Sequence, residues 1–353
     1  MAKKTKGFSE KIKDNQTQEK VLNYHSFTMK LHNLSEWIAI NGDEVGTAVL
    51  GNIGMNEKTV VIPQNWILEV GKEIGIPDVS MEADRGEFAY NESTKTQHTL
   101  MFFTICYGRY RDIIEASSLT FDVIFKASKP KKGKEVLLIP KFWQSKKKFS
   151  FLEREKMKNI DVYQTINGKT TKEIYANGLI KVTKLCRNWL FERLKKRVLM
   201  ENIVKIPCFY IDDGSGYHKD NKIDGERPST IFAELNPLLE KKNVKRISVI
   251  EGFTEYSQPN DLNFNAVFKT NYKIHARKYL ETPSFTKSKN LKLPSKDELV
   301  RWYCSSFNSI TDEVVKRGFL RAGIGQSDDV VPAYFSLLLK CNKTEKEEKK
   351  EEK

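Results

Sequence analysis

The stretch from Ile206 to His218, IPCFYIDDGSGYH, sets the tightest limit on the fold. Its apolar and aromatic residues, Ile206, Cys208, Phe209, Tyr210 and Ile211, form a run too short for a typical helix and rich in strand formers. The run stops against Asp212-Asp213-Gly214-Ser215-Gly216, so it reads as a buried strand delivering two carboxylates to a glycine-rich turn. Open α/β sheets place their chemistry outside the carboxyl ends of such strands. Asp before Gly is also ordinary turn chemistry, so the stretch makes a site only if other acids reach the same place.

At 353 residues the chain can bury one substantial core with a smaller appendage, or form two domains. It has no apolar run of about 18 residues, so no membrane span and no membrane partner are expected. The amino terminus, MAKKTKGFSEKIKD, is basic without a following apolar segment and does not read as a secretory signal, which points to a cytosolic or nuclear home. The five cysteines, Cys106, Cys186, Cys208, Cys304 and Cys341, show no metal-ligand spacing, and most sit in apolar runs as core thiols. The net charge of +14 suggests a polyanionic partner, nucleic acid first, with a merely lysine-rich surface as the plain alternative.

Taken in order, residues 1–15 are polar, basic and expected to be disordered. Lys20 to Leu34 suits a short helix. Trp37 to Ile40 is an apolar strand ended by Asn41-Gly42-Asp43-Glu44, a second strand that hands over a carboxylate, Asp43. Residues 51–95 read as an excursion between strands. Strands are expected at His98–Tyr110, Leu119–Ser128 and Val136–Trp143. Lys129, Lys131, Lys132 and Lys134, with Lys146, Lys147 and Lys148, are candidate phosphate contacts or nuclear-import signals, or else solvated loops.

The clearest helix is ANGLIKVTKLCRNWLFERLKKRV, with Leu179, Val182, Leu185, Cys186, Trp189, Leu190 and Leu194 at three- and four-residue steps. The strand ending at Asp212 is expected to follow at once. A helix starting at Ser229 or Thr230 comes next, then a strand over Val244–Phe253, then a helix opening at Pro259 and Asp261. Asp261 could serve simply as a helix-start residue. Two further amphipathic helices are expected. One starts from a capping box at Ser295 and Glu298, and the other runs from about Thr311 to before Gly323. Residues 342–353 form a charged tail expected to be disordered.

This order matches a ribonuclease-H-like α/β layout, a mixed sheet flanked by helices that gathers three acids at one edge. Six segments in order then resemble the DDE catalytic domain of pogo-type transposases of the Tc1/mariner superfamily, with Tigger and centromere-protein-B-like relatives. They are INGDEVG, LTFDVIFKAS, NGLIKVTKLCRNWL, CFYIDDGSGYH, ISVIEGFTEYSQPNDLNFNAVFK and ELVRWYCSSFNSITDEVVKRGFLRAGI. Within the fifth, Thr254, Gln258, Pro259, Asp261, Asn265, Phe268 and Lys269 fall in step with the family pattern.

The resemblance implies a DDE domain over 16–285, with expanded loops at 51–95 and 214–227, and a helical pair over 286–335. It implies an acid triad of Asp43, Asp212 and Asp261. Asp213 is the alternative second acid, because the spacing to His218 fits it while the strand boundary fits Asp212. His218 would orient the site or serve structure. Three convergent carboxylates call for cations, and hard oxygen donors select Mg²⁺ or Mn²⁺. Two ions roughly 3.5–4 Å apart could activate water or a DNA 3′-hydroxyl for in-line phosphodiester displacement.

The chain departs from the family in three ways. Too few residues precede Asp43 for the usual helix-turn-helix, Val45 replaces a Thr, and Tyr256, Ser257 and Asn260 are polar where the family is more apolar. The expected partners are therefore DNA and either a homodimer mate or a separate DNA-reading chain. A domesticated, non-catalytic DNA-binding protein is the alternative to an active enzyme, and a nuclear home fits both.

Overall fold

The structure, a computed structural model, describes residues 15–48, 97–109, 113–126, 159–165, 168–194, 199–212, 230–249, 252–281 and 292–339. These residues form a six-stranded mixed sheet of order β4-β3-β2-β1-β5-β6. The strands are β1 (Glu36–Ala48), β2 (Gln97–Arg109), β3 (Ile113–Lys126), β4 (Asp161–Thr165), β5 (Cys208–Asp212) and β6 (Val244–Ser248). The first three pair antiparallel, β5 joins β1 in parallel, and β6 joins β5 in parallel. That is the ribonuclease-H-like order, extended at the far edge by β4 lying parallel to β3. The carboxyl ends of β1, β5 and β6 consequently point the same way.

Side-chain alternation divides the sheet between two cores. Trp37, Ala39 and Val45 of β1 join Phe102, Phe121 and Ile211 on one face. Helices α1 (Asn15–His32), α6 (Asn265–Glu281), α7 (Lys296–Asn308) and α8 (Asp312–Arg321) cover this face with Val21, Phe268, Tyr303 and Phe319. Ile38 and Ile40 share the opposite face with Phe103, Cys208 and Tyr210, beneath α2 (Lys172–Arg193), α3 (Met200–Lys205) and α4 (Thr230–Lys241). The apolar stripe of α2, including Ile174, Leu179, Val182, Cys186 and Leu190, is buried there, and the Thr171 side chain caps its first turn by accepting from Ile174 N–H.

Several expectations need correction. The strand carrying Asp43 does not end at Asn41: β1 continues to Ala48 because β2 pairs with it along its whole length. Asn41-Gly42-Asp43-Glu44 is therefore strand rather than turn. The short helix α3 intervenes before β5, so the central strand does not follow α2 at once. The predicted Val244–Phe253 strand stops at Ser248, and Thr254–Ser257 is a helical turn, α5. DVYQT, unassigned in the sequence, is edge strand β4. The expected Val136–Trp143 strand lies outside the described residues. The capping box at Ser295 and Glu298 is present, and Gly323 takes a positive φ of 76° just past α8. Among the described residues, no helix is long and apolar enough to cross a membrane.

Candidate functional site

Asp43 lies on β1 just beyond the residues that pair with β5, where the parallel register couples Asn41 to Ile211. Its side chain is 5% exposed and faces the core covered by α6. Glu44 N–H donates to its Oδ1 at 2.8 Å. Asp261 stands exposed at the start of a π-helical turn, Asn260–Phe264, that runs directly into α6. Such wide turns are rare and often mark functional sites.

Asn265, four residues past Asp261, brings the two acids together. Its Nδ2 donates to Asp43 Oδ2 at 2.5 Å and to Asp261 Oδ1 at 3.0 Å. Two carboxylates 218 residues apart in the chain thus share one amide group.

The π turn is fastened from several sides. Asn41 and Thr104 sit opposite each other across β1 and β2. Asn41 Oδ1 accepts from Asn260 N–H at 2.8 Å while its Nδ2 donates to Ile211 C=O at 3.0 Å, joining the π turn to the end of β5. Thr104 Oγ1 donates to Asn260 Oδ1 at 2.7 Å, next to a bulge between Phe103 and Thr104. Gln258 Nε2 reaches Gly42 C=O at 3.4 Å. From the helical layer, Arg321 donates to Leu262 C=O at 2.8 Å, Asn263 to Val314 C=O at 2.8 Å, and Tyr24 to Ser257 C=O at 2.9 Å. Buried polar groups such as these are costly unless paired, so the network fixes the position of Asp261 against the sheet.

Asp212 does not join this pair. It is fully buried on the opposite face, where Tyr175 of α2 donates to its Oδ2 at 2.6 Å and Arg246 of β6 lies 3.6 Å from the same oxygen. Burial, then Tyr210 and Asp212 nearby, push the Tyr175 phenol well above its ordinary range, so it remains a donor to the carboxylate. Asp212 is a fixture of the α2–β5–β6 packing. Asp213, His218 and all seven candidate lysines, Lys129, Lys131, Lys132, Lys134, Lys146, Lys147 and Lys148, lie outside the described residues.

The donor set around Asn265 suits a hard divalent cation. It consists of two carboxylates and an amide whose own Oδ1 is buried without a hydrogen-bond partner. Among the described residues, no group of three or more His, Cys, Asp or Glu is assembled as a metal centre. Asn41, Thr104, Asn260 and Asn265 were not singled out by the sequence as site residues. The signal for two of them was spacing: Asn41 shares the strand face of Asp43 two residues on, and Asn265 shares the helix face of Asp261 four residues back.

Fold and site together define an α/β protein of ribonuclease-H-like architecture with paired carboxylates beside the central strands. Comparison with family models, curated proteins and solved structures finds no match to the chain.

Proposed function

We propose that the chain is a transposase-like endonuclease or strand transferase acting on DNA phosphodiesters. The observation that carries this reading is the gathering of Asp43 and Asp261 on one amide against the face of a ribonuclease-H-like sheet, beside its central strand β1. The net charge of +14 supports a polyanionic substrate. We assign the second acid to Asp213. Asp212 commits its carboxylate to Tyr175 on the far face, and Asp213 is the alternative that the spacing to His218 fits.

In this reading Asp43 and Asp261 hold the cation, with Asn265 between them. When bound, Mg²⁺ or Mn²⁺ supplies the charge that activates a water or DNA 3′-hydroxyl and stabilises the leaving oxygen, two ions serving the full site. The chain supplies orientation. Asp43 is held in place by Glu44 N–H and Asn265, while exposed Asp261 faces solvent, from which a phosphate can approach. The network of Asn41, Thr104 and Asn260 keeps the two carboxylates at fixed separation.

Nicking of supercoiled plasmid in Mn²⁺ tests the reading. The wild-type chain should nick, and Asp43→Asn, Asp213→Asn and Asp261→Asn should each lower the rate by at least about 100-fold. Asp212→Asn should leave nicking largely intact. Nicking that survives Asp43→Asn or EDTA contradicts the assignment. Salt-sensitive DNA binding with no nicking under any divalent ion would favour a non-catalytic DNA-binding protein, the reading that the charge alone also supports.

A further inference from the structure

Asn265 is 4% exposed, and the two polar atoms of its amide are used unequally. Nδ2 serves both carboxylates, at 2.5 Å to Asp43 and 3.0 Å to Asp261, whereas Oδ1 is buried without a partner. A buried amide carbonyl left unpaired carries a desolvation cost, so its retention here calls for a reason. Asp43 also accepts from Glu44 N–H at 2.8 Å, and two adjacent carboxylates favour a cation between them.

A cation seated between Asp43 and Asp261 cannot face an N–H donor, so the amide must turn over when the ion enters. Turning gives up the two Nδ2 hydrogen bonds and moves the N–H groups to where Oδ1 now lies, a cost that coordination of the ion must outweigh, and it brings a neutral oxygen towards the ion. Hard divalent cations accept carboxylate and amide oxygens in the same coordination shell.

We propose that Asn265 is a two-state ligand. In the ion-free protein its Nδ2 clamps Asp43 to Asp261, and in the ion-bound protein its Oδ1 becomes the third oxygen donor. The inference rests on reading Asp43 and Asp261 as a cation site. It goes further by giving a specific task to a residue that a plain pair of acids does not require. It also explains why the position carries a neutral amide: a carboxylate could bind the ion but could not hold the empty site together.

The test uses the full chain and Mn²⁺ alone, reading Mn²⁺ affinity by electron paramagnetic resonance and melting temperature in EDTA and in saturating Mn²⁺. Asn265→Leu, which has neither donor nor acceptor, should bind Mn²⁺ at least about tenfold more weakly than wild type. Asn265→Asp, nearly the same shape, should melt lower than wild type in EDTA, bind Mn²⁺ at least as tightly, and regain its melting temperature when the ion is added. If Asn265→Leu does not fold, the Asn265→Asp result decides by itself. Wild-type affinity in both variants would overturn the proposal, leaving Asn265 a bystander. Loss of Mn²⁺ binding in Asn265→Asp would also overturn it, because only the N–H would then matter. A wild-type chain that binds no Mn²⁺ would remove the acid-pair reading itself, a failure distinct from either of these.

Discussion

The acids of this protein are distinguished by what surrounds each carboxylate. Asp43 and Asp261 meet on an amide near solvent, Asp212 is enclosed with Tyr175 and Arg246, and Asp122 of β3 is fully buried beside Lys181 of α2. Lys181 also pairs with Asp161 of β4 at 2.9 Å, so this third cluster fastens α2 to the edge strands. Desolvation, opposed in part by Lys181, raises the Asp122 carboxyl from 3.8 to about 6. The folded chain therefore holds the Asp122 proton to higher pH than the unfolded chain does. The stability linked to that proton is present at and below pH about 4 and is lost as pH rises to about 6, after which the cost is constant. At about 1.4 kcal/mol per pH unit, the loss is roughly 3 kcal/mol. Urea unfolding of wild type and Asp122→Asn across this range should show wild type losing that much relative to the variant, and a constant difference would refute the assignment. None of this was visible in the sequence, where Asp122 is the one acid inside the run LTFDVIFKAS. Which face of the sheet Asp212 takes was equally open there, because strand parity has meaning only once the neighbouring faces are known.

At the scale of elements, β1 shows how a turn-like sequence becomes strand. Asn-Gly-Asp-Glu carries the residues of a turn, but β2 supplies partners along the whole of β1 and the tertiary pairing prevails over local preference. Gly42 permits this for a steric reason: a Cβ there would lie 1.8 Å from the Tyr210 hydroxyl. Gly46, on the same strand, has open space at the corresponding position. Gly42→Ala should therefore cost about 1–3 kcal/mol through overpacking, and Gly46→Ala should be neutral or slightly stabilising, as expected when glycine is removed from a strand. Equal effects in urea denaturation would mean that Tyr210 moves freely. The capping box of α7 and the stripe of α2 were legible because their signals are local: a Ser-to-Glu spacing and a 3.6-residue period. The π turn was not legible. It is held by Asn41, Thr104, Arg321 and Tyr24, whose partners lie far away in the chain.

For the whole molecule, the strand and helix order that the sequence offered is enough to place β1 and β5 side by side at the middle of the sheet, because alternating strand and helix periods restrict the possible topologies. Edge strand β4 escaped notice because DVYQT is only five residues long and carries two polar ends. The acid pair follows from the topology: the π turn that opens α6 packs on the middle of β1, at Asn41 to Asp43, and one asparagine joins the two carboxylates. The most direct test is anomalous diffraction at the manganese edge from crystals of the full chain equilibrated with Mn²⁺. A peak bounded by the carboxylates of Asp43 and Asp261, with Asn265 beside it, is the predicted result. Saturating Mn²⁺ that leaves this position empty, or fills only other sites, would contradict the account.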